Sequence, residues 1–151
     1  MKKFAVYLAE LKRKMVKEPL PVNSIACGWA LGMFIGCAVP FGFQLIISIP
    51  LALAFKWSKI GATVATLITN PVTIWFIYPA QTWAVSNLFF TGNVSYSALK
   101  AMEWTSENVF RLGAETIASF FIGGLILALI LSPLTYFLVR NIVIHHRKAV
   151  A

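Results

Sequence analysis

From Val22 to Phe55 the chain carries no charged side chain, and from Ile60 to Phe90 it again carries none. At about 1.5 Å rise per residue, straight helices over these blocks would run about 50 Å and about 45 Å, against a hydrocarbon core of roughly 30 Å. Each block must therefore be interrupted. In the first, Pro40-Phe41-Gly42 stands near the middle, where proline removes a backbone donor and glycine permits a turn. The pattern predicts two half-length helices over 22–55, forming a hairpin that enters and leaves by one face. Non-helical backbone at membrane depth has to be covered by other protein, so the hairpin needs neighbouring segments or a second subunit. In the second block the breakers are Asn70-Pro71 and Tyr78-Pro79. A kinked span over 60–90 is predicted, with a second hairpin as the other arrangement that fits. Thr116 to Val139 is a third uncharged run, stopped by Arg140, and is the plainest transmembrane helix. The fold class is all-α integral membrane.

Between these blocks the polar segments have their own patterns. Phe4, Leu8, Leu11 and Met15 fall at helical spacing among lysines. This predicts an amphipathic helix over 1–21 on the cytoplasmic membrane surface, with Lys12, Arg13, Lys14 and Lys17 toward anionic lipid, ended by Pro19 and Pro21. A solvated juxtamembrane helix is the other reading. Glu10 and the Lys12-Arg13-Lys14 run exclude a signal peptide. The stretch 91–115 carries Glu103, Glu107 and Glu115 with Lys100 and Arg111, and is expected as an outside loop with an amphipathic helix. Residues 22–139 then form one membrane domain and 140–151 a basic cytoplasmic tail.

Composition and charge turn this pattern into an orientation. The chain of 151 residues is 59% hydrophobic and 12% charged, with a mean hydropathy of +0.78; an average soluble domain is about a quarter charged. The net charge is +8, and its carriers cluster at both ends and at the Lys56–Lys59 link. By the positive-inside rule, a hairpin over 22–55 puts all three basic regions in the cytoplasm, whereas a full span would place the Arg140, Arg147, Lys148 tail outside. The chain is thus expected in a bacterial inner membrane, multi-pass, with both termini cytoplasmic. Nucleic acid is not an expected partner, because the cations sit on short tails and are not interleaved with aromatics on a folded surface.

Gly28, Gly32, Gly36 and Pro40 recur every four residues, so three glycines share one helical face and admit a close helix partner. Gly124, Ala128, Ser132 and Gly61, Ala65, Thr69 repeat the spacing. Membrane lipid, a second copy of the chain and a membrane-protein partner are the expected associations. Cys27 and Cys37 are expected as buried small residues, and His145-His146 as a solvated or lipid-facing tail; no metal or cofactor is expected.

Polar residues inside the apolar blocks carry the candidate chemistry. Gln44 follows the first break, Thr69, Asn70 and Thr73 surround Pro71, and Tyr78 and Gln81 lie further on. They either satisfy carbonyls freed by the prolines or form a polar site between broken helices, as discontinuous helices do in secondary transporters. With no Asp, and no Glu or His inside the blocks, neither a proton relay nor hydrolytic catalysis has candidates, so an enzyme is not expected.

The string Gly32 to Gln44, followed by Thr69-Asn70-Pro71-Val72-Thr73 and Tyr78, resembles the bacterial membrane family catalogued as domain of unknown function 2062. The shared pattern is a glycine-spaced helix ending in Pro-x-Gly-x-Gln, then Asn-Pro-x-Thr and a Tyr. It covers roughly Asn23 to Phe90, with the third helix and both tails outside. The sequence departs from it at the link, where Lys56, Ser58 and Lys59 replace the frequent Arg and Asn, and at Leu67, where an aromatic is frequent. The resemblance implies an inner-membrane protein, without an established activity. Two functions are carried forward. One is transport or handling of a lipid head group or small anion at Gln44, Thr69, Asn70, Thr73 and Tyr78. The alternative is a non-catalytic interaction or scaffold module for an envelope-assembly enzyme.

Overall fold

A computed structural model describes residues 10, 13, 18–67, 73–89 and 106–150. Among them are five helices and no strand: α1 (Val22–Ala38), α2 (Gln44–Ala54), α3 (Lys59–Thr66), α4 (Ile74–Phe89) and α5 (Ser106–Val150). The helix expected over 1–21 falls largely outside the described residues, with Lys12, Lys14 and Lys17; Arg13 is helical and exposed.

Helix α1 opens directly on Pro21, whose φ of −55° suits the helix and whose carbonyl accepts from the Ile25 amide at 3.1 Å. It ends because Pro40 has no amide to offer, and Val39 before it is extended, at φ −110° and ψ 136°. Gly42, at φ 103°, takes a left-handed conformation in the turn. Helix α2 then returns along α1, and the Ser58 amide donates to the Ser24 carbonyl at 3.1 Å. The turn out of α2 is closed by two reverse bonds, Trp57 N–H to Ala52 O at 2.8 Å and Lys56 N–H to Leu53 O at 3.1 Å. This is the Schellman arrangement, and its left-handed position is filled by Lys56 at φ 57°.

The small residues of α1 explain why α3 lies where it does. A Cβ at Gly28 would come 2.8 Å from Ser58 Cβ, one at Gly32 2.8 Å from Ala65 Cβ, and one at Gly36 3.2 Å from Thr66 Cα. The matched order, 28 with 58 and 36 with 66, makes α3 parallel to α1. Across the interface, Gly61 similarly accommodates the Trp29 ring.

Helix α5 covers another side of α1 in the opposite direction. Gly124 meets the Cys37 carbonyl, 2.6 Å from where its Cβ would stand. Ser132 Oγ donates to Ala30 O at 2.9 Å, Arg140 Nε to Asn23 Oδ1 at 3.3 Å, and Arg147 Nη2 to Glu18 O at 2.7 Å. The core between them is Ile25, Ala26, Val139 and Val143, flanked by Leu20, Trp29 and Tyr136. Helix α4 packs on α5 where Gly123 faces the Gln81 main chain and Tyr78 meets Phe120 edge-on at 4.8 Å.

At the end of α1 opposite the break, one acid ties three distant segments together. Ser58 Oγ donates to Glu18 Oε2 at 2.6 Å and accepts from the Gly61 amide at 2.8 Å, capping α3, while Arg147 holds the Glu18 carbonyl. Ser58→Ala removes the cap and the Glu18 partner together, and is expected to cost about 1–2 kcal/mol. A lowered thermal unfolding midpoint in detergent checks it; an unchanged midpoint contradicts the capping role.

Two predicted features differ: the end of the last helix and the break at Pro79. The last helix does not stop at Arg140: α5 runs unbroken from Ser106 to Val150, so it takes in the end of the 91–115 stretch, where an amphipathic helix is expected, and continues through nearly all of the basic tail 140–151. Charge ends an apolar stretch, but Arg and Lys are good helix formers and do not end a helix. Within the expected segment 60–90 stand the two helices α3 and α4, and residues 68–72, where a kink or a second hairpin turn would lie, are outside the described set. Pro79 is not a break, since α4 continues through it, as α2 does through Pro50 and α5 through Pro133.

Candidate functional site

The chemistry at the first break follows from one missing donor. In an uninterrupted helix the Gly36 carbonyl would accept from residue 40, and residue 40 is proline. Gln44, the first residue of α2, supplies the replacement: its Nε2 donates to Gly36 O at 3.0 Å and to Val39 O at 2.9 Å. It also reaches the Tyr78 hydroxyl at 3.4 Å. Gln44 is 3% exposed, so the amide closes the broken end of α1 inside the protein. Tyr78 comes from α4, and its ring is held by Phe120 of α5. Four segments therefore meet at this node: both arms of the hairpin, α4 and α5.

One turn along α4 from Tyr78 stands Gln81, buried, with Nε2 donating to Phe120 O at 3.3 Å. Its Oε1 has no hydrogen-bond partner, nor do the buried hydroxyls of Ser119 on α5 and Ser48 on α2. Spacing at i, i+3 puts Tyr78 and Gln81 on one side of α4, which extends the polar node along the α4–α5 contact.

Of the sequence-derived candidates, Gln44 and Tyr78 are brought together. Thr73 is half-buried in the turn before α4, while Thr69, Asn70 and Pro71 lie outside the described residues. Gly28, Gly32 and Gly36 face α3, and Gly124 faces the end of α1. Among the described residues no three of His, Cys, Asp or Glu gather in a group able to hold a metal ion.

Sequence reasoning missed the opposite end. Glu18, Ser58 and Arg147 are far apart along the chain, and nothing local marks them as partners. At Lys56 the sequence shows a charge and a departure from the family pattern, whereas the unusual feature is its backbone, at φ 57°. A left-handed conformation costs a non-glycine residue roughly 1–2 kcal/mol, and a cation at a helix C-terminus offsets roughly 0.3–1 kcal/mol. Glycine is the ordinary occupant of this position. Beside Lys56 the rings of Phe55 and Trp57 stack at 4.8 Å and 25°.

No curated protein and no solved structure matches the chain. One family model does, over residues 6–150, so the last helix and most of both tails fall within the family's extent, where the motif resemblance had reached only from about Asn23 to Phe90. With a match that runs through all five helices, the chain belongs to DUF2062, the family described as uncharacterized protein conserved in bacteria.

Proposed function

We propose that the chain is a non-catalytic, multi-pass protein of the bacterial inner membrane that handles a lipid head group or small anion at the node formed by Gln44 and Tyr78. The observation that carries the membrane reading is the surface of α5. Gly113–Lys148 is long and apolar enough to cross a membrane, and its most apolar 18-residue window has a mean hydropathy of 2.3, yet only 22% of that window is buried. The helix of a water-soluble core would be mostly buried. Its exposed apolar residues run from Ile117 to Leu138, about 32 Å of helix, close to the roughly 30 Å of a hydrocarbon core. Trp75, Phe76 and Trp83 of α4, at 71–77% exposure, extend the same apolar surface.

The hairpin is shorter than this band. The break end of α1 lies at the level of Gly124 and its start at the level of Arg140, a span of about 24 Å. In this reading α1 and α2 enter from the basic side and turn back before the far side, so the node sits inside the apolar band. Both described chain ends and the Lys56–Lys59 link then share the cytoplasmic face.

Tyr78→Phe is the discriminating variant, because it removes the hydroxyl and retains the ring against Phe120. With the protein reconstituted in vesicles, flux of a phosphorylated lipid carrier or inorganic phosphate is expected to fall several-fold in Tyr78→Phe at an unchanged unfolding midpoint. No flux by the parent protein, or equal flux by the variant, sinks the handling role. Release of the protein from membranes by alkaline carbonate sinks the membrane reading itself. The exposed aromatic face of α4 favours the second reading, a module that docks a membrane enzyme or a second copy; the α1 glycine face is already covered by α3.

A further inference from the structure

We propose that the link Phe55–Lys59 is a recognition site for anionic phospholipid, built to hold the basic end of the molecule in the headgroup layer; the proposal rests on the membrane reading above. Level comes first. The exposed apolar band of α5 stops at Leu138, and the next turn carries Arg140, bonded to Asn23 at the start of α1. The link lies at that same level, because the Ser58 amide is bonded to the Ser24 carbonyl. It therefore stands where lipid tails give way to phosphates.

Among residues 18–67, 73–89 and 106–150, the exposed charge at this level is basic. Lys56, Lys59 and Lys148 are all exposed. The acid among them, Glu18, accepts from Ser58 through its carboxylate, and its carbonyl accepts from Arg147. Clusters of exposed cations beside an apolar band attract the anionic cytoplasmic leaflet. Composition of the link adds a second argument. Phe55 is 57% exposed and stacks on Trp57, and aromatic rings at the headgroup level are an interfacial anchor.

The backbone supplies the third argument. Lys56 occupies, at φ 57°, the left-handed position of the turn that closes α2, where glycine fits without strain. A side chain kept there against its conformational preference, exposed, and flanked by two aromatic residues, is explained by what the ammonium group meets.

The strain makes the test sharp, because Lys56→Gly separates folding from recognition. The full chain is reconstituted in vesicles of phosphatidylcholine with an admixture of phosphatidylglycerol and extracted mildly, and the retained lipids are quantified. The parent protein is expected to retain phosphatidylglycerol above its share in the vesicle. Lys56→Gly is expected to unfold at an equal or higher temperature and yet lose about fivefold of that enrichment, the equivalent of about 1 kcal/mol for one lysine near an anionic surface. Lys59→Gln is expected to show a similar loss, and high salt to weaken the enrichment in the parent. Equal enrichment in Lys56→Gly, or none in the parent, overturns the proposal. Release by alkaline carbonate identifies a failure of the membrane reading instead.

Discussion

Gly32→Leu is expected to leave little folded protein. A Cβ at this position already stands 2.8 Å from Ala65 Cβ and closer still to the Ala62 carbonyl oxygen. Those obstructions are main chain and a one-carbon side chain, neither of which can swing aside, so a leucine must push α3 off α1. Overpacking costs roughly 1–3 kcal/mol when neighbours adjust; here they cannot, and the loss should reach or exceed the top of that range. The paired control is Gly113→Ala. Nothing lies within 4 Å of a Cβ there, and the site is inside α5, so the change should stabilise by about 0.5–1 kcal/mol. Unfolding midpoints in detergent that move in opposite directions support the close packing of α1 on α3; a Gly32→Leu protein with the parent's midpoint refutes it.

The second large effect is expected at Gln44. Gln44→Leu keeps the volume but leaves the Gly36 and Val39 carbonyls without the donor they now share. Losing the donor to such an acceptor costs about 1–3 kcal/mol, and a loss of that size is expected. The cause can be isolated by Pro40→Ala, which restores an amide at the position that would bond Gly36 in a continuous helix. In that background Gln44→Leu should cost less by at least about 1 kcal/mol, a coupling that a double-mutant cycle reads directly. Additive losses would show that the glutamine acts other than by replacing the proline's missing donor.

How far the sequence determines these features depends on whether their cause is local. The interruption at Pro40 is legible because three neighbours agree: Val39 is forced extended, Pro40 lacks a donor, and Gly42 takes the left-handed turn. Pro50, Pro79 and Pro133 have no such company, and their helices continue. In an apolar setting a lone proline is tolerated, since neighbouring helices satisfy what it frees. The glycine spacing in α1 identifies a face made for close approach. It does not identify α3 as the occupant, because similar spacing occurs in the last helix. The Gln44–Tyr78 pairing and the Glu18–Ser58–Arg147 clasp depend on long-range contacts that no window along the chain contains. Lys56 illustrates the remaining limit. Its charge is visible in the sequence, but its backbone conformation is imposed by the end of α2.

The separation between the two sides of α1 also sets an order of assembly. The face holding α2 and α3 is complete once Thr66 has been made, through contacts that close within one short stretch of chain. The face holding α5 has no occupant until Gly124 and the residues after it emerge from the ribosome, and its last tie, Arg147 to Glu18, forms only once Arg147 has been made. Until then the Ala30 and Cys37 side of α1 is open. The nascent hairpin needs a temporary neighbour there, and a chain that stalls before α5 exposes the surface by which it can pair wrongly with another copy.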